Sequence, residues 1–111
     1  MESTMTNLLK LVEYTGTLCG KIPVPEYNIN QKFAWISGRT QGAIKVRNII
    51  RHSPSEKLPF LTQEPEEITN EYGKNAKYWL EGYNAVVTYV EKRINSLIFI
   101  GTFGQTLKSL I

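Results

Sequence analysis

Side chains able to do acid–base or covalent chemistry are scarce in this chain. There is one histidine, His52, one cysteine, Cys19, and no aspartate. A hydrolase or transferase needs a nucleophile with a base, a metal cage or a pair of opposed carboxylates. His52 and Glu56 form the one histidine–carboxylate pair close in sequence, but Pro54 lies between them and forbids helical spacing. Glu66 and Glu67 are adjacent, so on a helix they diverge rather than converge. A single thiol makes no internal disulfide, and Cys19 reads as a small hydrophobe packed just past a helix end. With no cluster of cysteines and histidines, neither a metal nor a cofactor is expected, and the chain reads as a non-enzyme.

Binding chemistry is better represented. Between Lys32 and Lys57 the cations Lys32, Arg39, Lys45, Arg47, Arg51 and Lys57 face only Glu56. Such a segment suits nucleic acid or a phosphorylated ligand, because Lys and Arg neutralise phosphates. Within it, the run Gly38-Arg39-Thr40-Gln41-Gly42 would turn a hairpin and present amides and Arg39 to an anion. The expected polyanion contacts are Lys32, Arg39, Thr40, Lys45, Arg47 and Arg51, with Phe33 and Trp35 stacking on bases. The following stretch reverses the charge: Glu64, Glu66, Glu67, Glu71, Glu81 and Glu91 outweigh Lys74 and Lys77. The two stretches would alternatively pair with each other inside the fold. Tyr72, Trp79 and Tyr83 recur at helical spacing and form a second candidate surface, for a partner protein or a second copy of the chain. That gives the alternative reading: a small protein-binding inhibitor or accessory protein, of a virus or mobile element for example.

These residues must be held by a small scaffold. The chain has 111 residues, 41% of them hydrophobic, and a net charge of +3, which fits one domain with a modest core. Its first residues lack the pattern of a secretory signal and its longest apolar run is short, so a soluble, cytoplasmic protein is expected. Thr6 to Thr17 has the apolar stripe of a helix, punctuated by Gly16 and Gly20. Pro23 and Pro25 make Lys21 to Glu26 extended, and Asn28 to Gln31 reads as turn.

Phe33 to Ser37 and Ala43 to Ile49 have β-prone compositions around the Gly38–Gly42 loop. As a strand, the second run places Lys45 and Arg47 on one face and Ile44 and Val46 on the other, which predicts a hairpin. Arg51 to Leu61 reads as loop. A second helix is expected after Thr62, with Pro65 and three glutamates at its start and Gly82 at its end. Ala85 to Val90 and Leu97 to Phe103 predict a second hairpin, and Gln105 to Ile111 a short closing helix or tail. The expected fold is therefore α+β: helix, two strands, helix, two strands, with one antiparallel sheet whose exposed edge favours a homodimer. The alternative is a mostly α fold with one long C-terminal helix, because the stripe through Tyr72, Ala76, Trp79, Tyr83, Val86, Val90, Ile94 and Leu97 never breaks.

Overall fold

In the computed structural model, the structure describes residues 4–52, 58 and 60–98. Among them there is no strand. The elements are helices α1 (Thr4–Glu13), α2 (Thr15–Gly20), α3 (Ile29–His52), α4 (Glu66–Tyr72) and α5 (Ala76–Ile98), with one 3-10 turn at Gly73–Asn75. The α+β expectation is overturned, and the mostly α alternative fits.

The first expected helix divides in two at Tyr14, whose extended backbone (φ −111°, ψ 112°) lets its carbonyl accept from the amides of Thr17 and Leu18. The proline-containing stretch after it is non-helical, as expected. Helix α3 then starts where a turn was expected. Asn28 Oδ1 accepts from the Gln31 amide at 3.0 Å, and Gln31 Oε1 accepts from the Asn28 amide at 3.1 Å. This reciprocal capping box satisfies two amides that helix geometry leaves orphaned. From there α3 runs unbroken through Phe33–Ser37, Gly38–Gly42 and Ala43–Ile49, so the first hairpin and its turn do not exist.

Packing explains why helix wins over β-propensity here. Trp35, Gly38, Gly42, Val46 and Ile49 are buried at steps of three and four, which only a helix places on one side. Small residues on that side let the α5 backbone lie directly against α3. A Cβ built on Gly38 would fall 1.8 Å from the Trp79 carbonyl oxygen, and one on Gly82 would fall 2.1 Å from that of Trp35. Gly42 likewise faces Tyr83 and Val86, so the two helices run in the same direction where they touch. Gly82 is a contact point inside α5 rather than its end.

Parallel neighbours require the chain to travel back between them. On the way, Asn84 holds Leu61 by both of its amide atoms, accepting from the Leu61 N–H at 3.0 Å and donating to its C=O at 2.7 Å. Helix α4 begins as expected, with Pro65 at its N-cap and Glu66 and Glu67 in its first turn. Gly73 then takes φ +57°, a conformation that favours glycine, and separates α4 from α5. The expected strand Ala85–Val90 lies inside α5, where Val86, Val87 and Val90 are fully buried. Of the expected strand Leu97–Phe103, Leu97 and Ile98 close α5, and 99–103 lie outside the described residues, as does the expected segment Gln105–Ile111. The core joins Leu8 and Val12 of α1, Leu18 and Cys19 of α2, the α3 stripe and the α5 stripe from Trp79 to Ile94. Among the described residues no helix is long and apolar enough to cross a membrane.

Candidate functional site

Helical geometry disperses the basic segment. At 3.6 residues per turn, Lys45 and Arg47 point about 200° apart, whereas a strand would have aligned them. Lys32, Lys45 and Arg51 are exposed, but Arg39 and Arg47 are half-buried. Arg39 is committed internally: its Nη1 donates to the Ile22 carbonyl at 2.8 Å and the Cys19 carbonyl at 3.3 Å. Its guanidinium also lies 5.4 Å from the Trp35 ring centre. It thus closes the C-terminal end of α2, where carbonyls lack helical partners and a cation is favoured. Thr40 Oγ1 donates back to the Ile36 carbonyl at 3.0 Å within α3. The expected stacking pair is split, with Phe33 62% exposed and Trp35 2% exposed. Arg51 approaches Glu13 at 3.7 Å, an exposed pair of small energetic weight. Cys19 is buried in α2 itself, with its Sγ 3.9 Å from the Arg39 carbonyl oxygen.

The role of Arg39 has a direct consequence for stability. Arg39→Met keeps the stem but removes two charge-assisted bonds, which costs about 2 kcal/mol. A fall of roughly 8–15 °C in melting temperature is expected. An Arg39→Met protein that melts with the wild type would show that α2 is held by apolar contacts alone.

The aromatic stripe behaves differently. Tyr72, Trp79 and Tyr83 are brought together at the base of a cleft of about 510 Å³ between α3, α4 and α5. Trp79 and Tyr83 stack, with ring centres 5.5 Å apart and planes 21° apart, and they are only 5% and 6% exposed. Helix α3 contributes one wall through Ser37, Gln41, Ile44, Lys45 and Asn48, residues spaced to fall on one outward face. Helix α4 contributes the other through Glu67, Ile68, Glu71 and Tyr72. No residue of α4 is fully buried; Ile68 and Tyr72 lean on the core from its edge. Among the described residues the side chains of Gln41, Lys45, Asn48, Glu67 and Glu71 have no hydrogen-bond or ion-pair partner. The cleft therefore has a mixed lining, apolar at Ile44, Ile68 and Tyr72 and polar at the unengaged groups, and its volume is within the roughly 300–1,000 Å³ span of ligand pockets.

Burial raises the Tyr83 phenol above its ordinary value of 10.0, so it stays neutral at physiological pH and adds no charge to the base of the cleft. A second depression, of about 610 Å³, lies between Lys21–Pro23 and the Glu81–Lys92 face of α5. Lys21, Thr88 and Lys92 line it, and two more of its polar groups are engaged: Asn84 holds Leu61, and Glu81 accepts from the Tyr27 hydroxyl at 2.6 Å. That bond is also the main reason the Tyr27 phenol is raised.

Of the residues expected to bind, the cleft gathers Lys45, Tyr72, Trp79 and Tyr83. Lys32, Phe33, Trp35, Arg39, Thr40, Arg47 and Arg51 are not among its walls. Glu67 and Glu71 belong to the acidic stretch around Tyr72, whereas Gln41, Ile44 and Asn48 carry neither charge nor an aromatic ring to mark them in the sequence. Gln41, Ile44, Lys45 and Asn48 become legible together only once residues 29–52 are read with a period of 3.6. Among the described residues no group of histidine, cysteine or acidic side chains is placed to hold a metal. No protein family, curated protein or solved structure matches the chain.

Proposed function

We propose that the chain is a non-enzymatic binding module that holds a segment of a partner protein in the cleft between α3, α4 and α5. The observation that carries this reading is the cleft itself: half-buried Ile44, Ile68 and Tyr72 lie beside amides and charges that have no partner among the described residues, with Trp79 and Tyr83 nearly covered between them. Interfaces draw their energy from apolar and aromatic surface buried at their centre, here Ile44, Ile68 and Tyr72, while polar rims set register. The basic-segment reading has less support, because Arg39 is spent on carbonyls of the chain and Lys45 and Arg47 face different ways.

The test is site-specific photo-crosslinking in cells that make the protein. A photoreactive residue at Gln41, on the cleft rim, is expected to trap one stoichiometric protein. The same group at Lys32, exposed on α3 but away from the cleft, is not. Ile44→Arg, which fills the cleft with a side chain of the chain itself, should abolish the adduct without lowering the melting temperature. Nuclease-sensitive adducts at Lys32 and Arg51, with no protein adduct at Gln41, would overturn the proposal and restore the polyanion reading.

A further inference from the structure

We propose that the cleft between α3 and α4 receives an arginine side chain of the partner, its stem over the apolar part of the lining and its guanidinium against Glu67 and Glu71. This rests on the protein-binding reading above and names the chemistry of the occupant. Two features of the same cavity, one apolar and one charged, select it. Part of the cavity lining is apolar, with Ile44 on one wall and Ile68 and Tyr72 on the other. A small inorganic cation would leave that surface unused. A wholly apolar occupant would bring Glu67 and Glu71 against hydrocarbon with Lys45 as the one cation in the cavity lining for two carboxylates, which is unfavourable. A long basic side chain satisfies both, since its methylenes cover apolar surface while its charged head stays at the wet rim.

The electrostatics of the walls favour a cation. Helix α4 carries Glu66, Glu67 and Glu71 and no basic residue, although the chain as a whole has a net charge of +3. Both rim carboxylates are exposed and unpartnered among the described residues, so neither must break a contact to receive a guanidinium. Arginine fits better than lysine because its planar fork engages carboxylates in two parallel bonds. Gln41 and Asn48, on the opposite wall, offer donors and acceptors for the backbone that brings the arginine in. Lys45 shares that wall and opposes a cation. This makes its effect diagnostic: it would assist a phosphate ligand and hinder an arginine.

The experiment is an amide NMR titration of the full chain with N-acetyl-arginine methylamide, and with its neutral isostere N-acetyl-citrulline methylamide. Single small probes of this size bind weakly, in the millimolar range. The arginine probe is expected to shift the amides of Gln41, Lys45, Glu67, Glu71 and Tyr72, and to bind at least about fivefold tighter than citrulline. Glu67→Gln with Glu71→Gln should weaken it about three- to tenfold, in line with two exposed charge pairs. Lys45→Ala should strengthen it about twofold. Equal binding of arginine and citrulline, shifts confined to other surfaces, or weaker binding by Lys45→Ala would each overturn the inference. Crosslinking at Gln41 does not depend on charge. A partner trapped there, with the two probes behaving alike, would remove the arginine and leave the protein-binding reading standing.

Discussion

Gly38→Ala is expected to lower the melting temperature by about 10–20 °C, and Gly38→Val to prevent folding. The added Cβ would sit 1.8 Å from the Trp79 carbonyl oxygen and 2.7 Å from its carbonyl carbon. Both obstacles are backbone, so no side-chain rotation relieves them, and α5 must move away along its length. Overpacking of this kind costs about 1–3 kcal/mol or more, a large share of the roughly 5–15 kcal/mol that holds an ordinary domain together. The ranking across sites follows the distances. Gly82→Ala, at 2.1 Å from the Trp35 carbonyl oxygen, should be nearly as severe, and Gly42→Ala, at 2.8 Å from that of Tyr83, milder. Gly16 provides the control, because nothing lies within 4 Å of its added Cβ and it is helical. Gly16→Ala should be neutral or stabilise by up to about 1 kcal/mol. A Gly38→Ala protein melting within a few degrees of wild type, by circular dichroism, would mean that α3 and α5 do not meet backbone to backbone.

Trp79→Ala should cost about 3–5 kcal/mol, the usual penalty for emptying a buried aromatic site. Trp79 is 5% exposed, stacks on Tyr83 and belongs to the apolar cluster that joins α3 to α5. Its loss therefore acts twice: it opens a void in the core and removes the base of the cleft. Chemical denaturation measures the first effect, and crosslinking from Gln41 measures the second. Because the truncated protein sits near the limit of stability, Trp79→Phe supplies a milder test. It should fold, with a loss of about 1–2 kcal/mol, and trap the same partner less efficiently. An unchanged denaturation midpoint in Trp79→Ala would place the side chain in solvent and contradict the packing of α5 on α3.

Several local features followed from residue types acting over a few neighbours. Pro23 and Pro25 keep residues 21–26 out of helix because proline restricts its own φ and the residue before it. Pro65 with Glu66 and Glu67 starts α4 because a missing amide and negative charge both suit a helix N-terminus. The stripe from Trp79 to Ile94 is buried along one side of α5, as its period of 3.6 requires. The opening of α3 is also legible, since Asn28 and Gln31 stand at capping-box spacing, although Asn28 and Asn30 equally suit a turn.

The long-range decisions belong to tertiary structure. Phe33–Ser37 and Ala43–Ile49 have real β-propensity, yet propensities of this kind are worth fractions of a kcal/mol per residue and yield to packing. What outweighs them is the contact of Gly38 and Gly42 with the α5 backbone, some forty residues away along the chain. Glycine flanking a short polar run looks the same in sequence whether it turns a hairpin or admits a neighbouring helix. The same choice decided the site. In a strand Lys45 and Arg47 would have shared a face; in α3 Lys45 joins Glu67, Glu71 and the Tyr72–Trp79–Tyr83 base, while Arg39 turns inward to close α2. Residue types and spacing are enough to show which side chains carry charge and which stripe of α5 is apolar. Only the docking of α5 on α3, set by three glycines with no room for a Cβ, determined which of them meet.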